Sequence, residues 1–219
     1  MTWQEMLIEI KRSLKEPENV DGHWKASELL RRANLAQSDI CKKTFCIKKE
    51  EVLAFDEDAK KYIRPKNCYK VKQVLFDGRR LKGTSEEEAD MLAFQGKFPT
   101  HWREGEHFPL FYILDYRHIR LCPNNIDTSE KVEIEYYSIA DNMVDTSDNP
   151  FDSIDYLQEW SQLIIDYVLW KCLLEDKDDR YVEFKSEYVS GLRDMQKMFS
   201  QEDSFESFGM QRQANNRTF

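Results

Sequence analysis

The stretch Ser153 to Leu174 constrains the fold more than any other part of the chain. Read as a helix, at about 100° per residue, it places Leu157, Trp160, Ile164, Tyr167, Val168 and Cys172 on one face. Tyr156, Leu163, Ile165 and Trp170 widen that face to about 220° of arc, roughly twice what a surface helix needs. Only Gln158, Glu159, Gln162 and Asp166 read as solvated. A helix this apolar must be covered on several sides, so other elements are expected around it. It follows Asn149-Pro150, with Asp152 or Ser153 as the expected N-cap. Lys171 falls inside the apolar arc, but in the last turn. Its stem can snorkel there and its charge suits the helix C-terminus.

The elements that could cover it are helical at both ends of the chain. Thr2-Trp3-Gln4-Glu5 fits a capping box, and Trp3, Met6, Leu7, Ile10 and Leu14 then repeat at helical spacing until Pro17. A second helix is expected from about Lys25 to Lys43, with Leu29, Ala33, Ala36 and Ile40 inward and Glu28, Arg31, Arg32 and Gln37 outward. A last helix, Arg180 to Phe199, carries the stripe Tyr181, Phe184, Tyr188, Leu192, Met195 and Phe199, and should pair antiparallel with the central one. Gln201 to Phe219 is polar and without period, and reads as a disordered tail.

Between Thr44 and Ser138 the pattern changes to strand. Phe45 to Ala54 is ambiguous, and Tyr62-Ile63-Arg64-Pro65 reads as extended. Residues 69–76 alternate in side-chain character, and Asp77-Gly78 directly after them is a hairpin signal. Ser85-Glu86-Glu87-Glu88 opens a short helix to about Phe94. Gly96 to Gly105 is a loop carrying Phe98, Pro99 and Trp102. Leu110–Leu114, His118–Cys122 and Val132–Tyr137 read as strands. The expected class is α+β: a four-helix bundle-like core (helices about 3–15, 25–43, 153–174 and 180–199), an inserted small antiparallel sheet module over about 45–138, and a flexible tail over 200–219.

The net charge of −9 argues against a generic nucleic-acid binder. The charge is uneven: Lys42 to Lys82 holds 13 Lys/Arg against 6 Asp/Glu, a local +7 that leaves −16 for the rest. Five cysteines, at 41, 46, 68, 122 and 172, form no regular framework and read as reduced thiols acting as small apolar residues. The first residues carry no signal-peptide pattern, and no apolar run approaches the length of a membrane span.

The chemistry-bearing residues have simpler explanations than catalysis. No phosphate loop, HExxH or GxSxG occurs. His23, His101, His107 and His118 are scattered, with His101 and His107 flanking Trp102. Cys41 and Cys46 have the wrong separation for a zinc knuckle, which leaves a composite site through Cys68 or His118 as the remaining metal reading. Glu86, Glu87 and Glu88 suit a helix N-terminus, where acids are favoured. Asp176, Asp178 and Asp179 lack the Gly and distal Glu of a calcium loop.

Several segments, in order over residues 20–199, resemble the head-to-tail adaptor (connector) proteins of tailed bacteriophages. Trp24-Lys25-Ala26-Ser27-Glu28-Leu29-Leu30 running into Asn34-Leu35-Ala36-Gln37 is similar to that family's W-x-x-x-E-L-L … N-x-A-Q helix. Tyr62-Ile63-Arg64-Pro65 follows, then Val74 to Leu81, Ser85 to Glu88, and Pro109-Leu110-Phe111-Tyr112. Ile119-Arg120-Leu121-Cys122-Pro123, Val132 to Tyr137 and the central helix complete the order. The chain departs from many relatives in having Phe108 where they have Gly.

The resemblance implies a structural virion protein without cofactor, made in the host cytoplasm. Twelve copies would form a ring beneath the portal protein, extend the channel for double-stranded DNA, and present a surface to tail or nozzle proteins, with no membrane partner. It also implies that the C-terminal segment docks on the portal, with Phe205, Phe208 and Met210 as apolar anchors. Glu183, Glu187 and Asp194 are expected to face the lumen or a neighbour, because acids do not bind phosphates. The basic 42–82 region against an acidic helical face is one candidate pairing between copies. Two other readings are a virion cell-wall hydrolase using Glu86 or Glu88 and a non-virion interaction module.

Overall fold

A computed structural model describes the backbone of residues 1–17, 22–94, 111–122 and 131–215, and their side chains except for 92–94, 111 and 201–215. The expected loop Gly96 to Gly105, His101, His107 and Pro123-Asn124-Asn125 lie outside the described residues. The chain is α+β, with helices and largely antiparallel sheets in two compact units. Met1–Ile47 with Ile139–Phe219 form one, and Lys48–Ser138 the other. The described helices are α1 (Trp3–Ser13), α2 (Ala26–Thr44), α3 (Glu86–Phe94), α4 (Ser161–Glu175) and α5 (Tyr181–Asn215).

In the first unit α4 packs against α1, α2 and α5. It is the central element expected from its apolar arc. Ile164, Ile165, Val168 and Cys172 are fully buried, and each of the larger aliphatics stabilises the unit by about 1.5–3 kcal/mol. Around them lie Trp3, Met6 and Ile10 of α1, Leu29, Ala33, Ala36 and Ile40 of α2, and Tyr188, Met195 and Phe199 of α5. α1 starts on the expected capping box: Thr2 Oγ1 accepts from Glu5 N–H at 3.3 Å, and Glu5 Oε2 accepts from Thr2 N–H at 2.8 Å. Gly191 lets α5 approach α4, since a Cβ there would sit 2.4 Å from Leu163 Cδ2.

The central stretch is not one continuous α-helix. Phe151–Ser153 and Asp155–Trp160 are 3₁₀ turns, and α4 begins only at Ser161. Phe151, Asp152 and Ser153 have φ of 55°, 55° and 58°, a left-handed turn after Pro150. Side chains then compete for the carbonyls that an α-helix would use. Gln158 Nε2 donates to Pro150 O at 2.8 Å, and Ser161 Oγ donates to Gln158 O at 2.7 Å. Neither Asp152 nor Ser153 is the N-cap; Trp160 holds that position without a side-chain bond. Tyr156, placed in the apolar arc by the helical reading, is 54% exposed, and Asp166, read as solvated, is 4% exposed.

α5 also runs past its expected end. The apolar stripe stops at Phe199, but the backbone continues helical to Asn215, where the sequence reading expects an irregular tail. No proline lies between Tyr181 and Asn215, and Gln201, Glu202, Met210 and Gln211 are good helix formers. Backbone propensity, rather than amphipathic period, therefore carries the helix on.

The second unit has nine described strands: β1 (Lys48–Val52), β2 (Phe55–Asp56), β3 (Lys61–Ile63), β4 (Cys68–Phe76), β5 (Arg79–Arg80), β6 (Lys82–Thr84), β7 (Phe111–Leu114), β8 (His118–Cys122) and β9 (Val132–Ser138). They form two sheets where one was expected. One has the order β1-β9-β4-β5 and is antiparallel throughout; the other has the order β2-β3-β8-β7-β6, with β6 and β7 parallel. Asp77-Gly78 makes the expected tight turn, with φ of 47° and 72°, and Phe76 opposes Arg79. Phe76 opposes Val132 and Val74 opposes Ile134. All four side chains enter a core with Tyr62, Ile119 and Leu121.

Candidate interaction surfaces

The W-x-x-x-E-L-L … N-x-A-Q residues, in α2 and the turn just before it, fasten the chain on both sides of α4. Trp24 Nε1 donates to Asp176 Oδ2 at 3.1 Å, just past the end of α4. Arg32 stacks 4.6 Å over the Trp24 ring and pairs with Glu28 at 3.2 Å and Glu175 at 2.6 Å. At the other end Asn34 forms a two-way pair with Met143, accepting its N–H at 2.9 Å and donating Nδ2 to its carbonyl at 3.0 Å. Gln37 is fully buried, not outward as its place in the sequence pattern suggests. Its Nε2 donates to Asp141 O at 2.6 Å, and its Oε1 accepts Phe151 N–H at 3.1 Å. Asp152 Oδ1 accepts Asp141 N–H at 2.7 Å. Three successive left-handed residues cost on the order of 1–2 kcal/mol each, and these bonds hold the turn against that cost.

Two flanks of the α4–α5 pair differ in charge. On the α2 side, Tyr167, Trp170 and Tyr188 form an aromatic cluster with ring centroids 5.3–5.9 Å apart. Lys171 Nζ lies 3.9 Å from the Trp170 centroid, Lys185 Nζ 5.7 Å from the same ring, and Lys43 Nζ 5.9 Å from Tyr188. Tyr188 is buried and its hydroxyl donates to Asp39 at 2.6 Å. Burial and that carboxylate push the phenol well above its usual range, so it stays a neutral donor. Trp170 Nε1 is a buried donor with no acceptor among the described residues.

On the α1 side the charge is negative. Asp166 of α4 is buried, and among the described residues it accepts a bond from Gln162 Nε2 at 3.0 Å. Burial pushes its carboxyl up to about 6, and the charges of Glu187 on α5 and Glu9 on α1 add to the rise. Glu183, Glu187 and Asp194 are exposed. They fall within about 40° of arc on α5 at 100° per residue. Asp194 is paired with Lys197 at 3.1 Å. Phe205, Phe208 and Met210 belong to the helical backbone of α5, and their side chains lie outside the described residues.

In the Lys48–Ser138 unit part of the positive charge is neutralised locally. Lys72 pairs with the buried Glu135 at 2.6 Å, Lys61 with Asp115 at 3.2 Å, and Lys131 with Glu133. The sequence gives no hint of the first two, because their partners lie 63 and 54 residues away in the chain. The glutamates of α3 are held in cap geometry: Ser85 Oγ accepts Glu88 N–H at 3.1 Å, Glu88 accepts from Thr84 Oγ1 at 2.8 Å, and Glu86 meets Arg120 at 3.2 Å. These residues line an open hollow of about 600 Å³ with Lys61, Tyr112 and Asp115.

His23 meets Asp176 and His118 meets Asp56, each at 3.3 Å. Asp178 chelates the Arg180 guanidinium, with its nearest oxygen at 2.7 Å. Cys41 and Cys46 sulfurs lie 3.9 Å apart in the core; burial pushes the thiols of Cys68, Cys122 and Cys172 up, the last to about 12. Among the described residues no group of three or more His, Cys, Asp or Glu could hold a metal ion, and no helix is long and apolar enough to cross a membrane.

The α2 motif residues are therefore scaffold, and Lys185, Glu183 and Glu187 stand exposed on the surface of the helical unit. Lys171 and Lys185 were hard to find from sequence, because each reads singly as a solvated lysine; only the antiparallel pairing of α4 with α5 brings both to Trp170. A family model described as SU10 adaptor protein matches residues 1–215. No curated protein matches the chain.

Proposed function

The chain belongs to the SU10 adaptor protein family, and from that premise we propose that it forms a ring beneath the portal vertex and joins head to tail. An adaptor of this family is a structural protein of the phage particle, associated with portal and tail proteins. The family match across residues 1–215 carries the proposal. Twelve copies would surround the DNA passage. The C-terminal end of α5, with Phe205, Phe208 and Met210, would reach the portal. The exposed acids Glu183, Glu187 and Asp194 would face the lumen or a neighbour.

The protein works by shape and charge, without catalysis or cofactor. The glutamates of α3 support this reading, since Glu86 and Glu88 are engaged by Arg120, Thr84 and the cap of their own helix. Mass spectrometry of purified particles should find the chain, and immunogold labelling should mark a single vertex. A chain missing from particles but abundant in infected cells would refute the virion role. Clearing of cell wall in a zymogram, abolished by Glu88→Ala, would replace it with the hydrolase reading.

A further inference from the structure

We propose that the two flanks of the α4–α5 pair are the two halves of one contact between neighbouring copies of this chain. The lysine–aromatic flank of one copy (Lys43, Trp170, Lys171, Lys185) receives the acidic flank of the next (Glu9, Glu183, Glu187). This rests on the ring reading above and names the surfaces that make the ring.

The placement comes from α5 itself. Lys185 and Glu187 are two residues apart, which puts them about 160° apart round the helix. One therefore looks to the α2 side, where it meets Trp170, and the other to the α1 side, where it acts on Asp166 with Glu9. Lys171 and Lys185 have no ion pair among the described residues, and neither have Glu9, Glu183 and Glu187. Val182 and Val189, 57% and 43% exposed, are seven residues apart and share the Lys185 side of α5. They supply an apolar contact beside the charges.

Three physical points favour a second copy as the occupant. A chain of net charge −9 repels its like unless cations gather where acids arrive. Lys171 and Lys185 are gathered at one ring without an ion pair among the described residues, while Lys43 beside them already pairs with Asp39 at 2.7 Å and Lys61, Lys72 and Lys131 of the other unit are paired as well. Lys171 is also held over an indole before any partner comes, so less side-chain freedom is lost on contact. Finally, the two flanks are different surfaces on different sides of one helix pair. A contact between them is heterologous and leaves a free flank at each end, the kind of contact that closes into a ring when the rotation from copy to copy closes.

The test uses the full chain at low salt, with assembly read by native mass spectrometry and sedimentation. Lys171→Glu/Lys185→Glu makes both flanks acidic, and Glu183→Lys/Glu187→Lys makes both basic. Each variant alone should need at least about tenfold more protein to assemble than the unaltered chain, because every junction then opposes like charges. An equimolar mixture of the two should assemble again, with the variants alternating. Lys185, Glu183 and Glu187 are exposed and Lys171 is half-buried over Trp170, so circular dichroism should show each monomer folded, while the thermal midpoint shifts modestly with the lost cation–ring contact and the changed charge beside Asp166. The inference is overturned if the unaltered chain forms rings and either variant forms them equally well, or if the mixture stays dissociated. If the unaltered chain remains monomeric even with portal present, the ring reading itself fails and takes this contact with it.

Discussion

Asp166→Asn should stabilise the protein, and the gain should depend on pH. The carboxyl is 4% exposed, and its pKa is pushed from 3.8 up to about 6, first by burial and then by Glu187 and Glu9. An acid whose pKa is raised by folding binds its proton more tightly in the folded state. Stability is therefore undiminished below about pH 3.8, falls as pH rises, and the full cost is present above about pH 6. Two pH units at about 1.36 kcal/mol each set a ceiling of about 3 kcal/mol. Asparagine keeps the shape and the oxygen that accepts from Gln162, and removes the charge. Its amide hydrogens need partners, so the expected gain at pH 8 is about 1–3 kcal/mol, or roughly 3–9 °C in Tm for a chain of this size. At pH 4 it should vanish. Urea denaturation of both proteins at pH 4, 5 and 8 measures this directly. Glu187→Gln should shrink the effect by removing one of the two neighbouring charges. An equal gain at every pH, or a loss at pH 8, would refute the assignment of a buried, costly charge at this position.

The clamp on the left-handed turn gives two further expectations. Gln37→Leu strands Asp141 O and the buried Phe151 N–H. It should cost about 2–4 kcal/mol in chemical denaturation, each orphaned group accounting for about 1–3; a loss below 1 kcal/mol would mean that the turn holds itself. At Ser153, exposed and at φ 58°, glycine should be neutral to stabilising by up to about 1 kcal/mol. Valine at the same position should be destabilising by about 1–2 kcal/mol, and the opposite order would contradict the left-handed backbone.

What the sequence revealed and what it hid follow from the range of the forces involved. Period and caps are local, so the capping box at Thr2, the stripes of α1 and α2, the Asp77-Gly78 turn and the strands β8 and β9 were all legible. The left-handed turn at Phe151–Ser153 was not, because no glycine marks it and bonds from Gln37, more than a hundred residues earlier, hold it. Gln37 and Asp166 share that history: a polar residue on a helix reads as solvated until its partner or its neighbouring helix is known. The acids Glu183 and Glu187 were visible as an exposed row on α5. The basic flank opposite them was not, since it draws on three helices.

The account is tested most directly by mixing the purified chain with its cognate portal and imaging the product by electron microscopy across a range of salt. A ring of copies seated on the portal, weakening as salt screens the contacts between flanks, is the expected result. Portal particles that stay bare at every salt concentration, beside a folded but solitary chain, would contradict it.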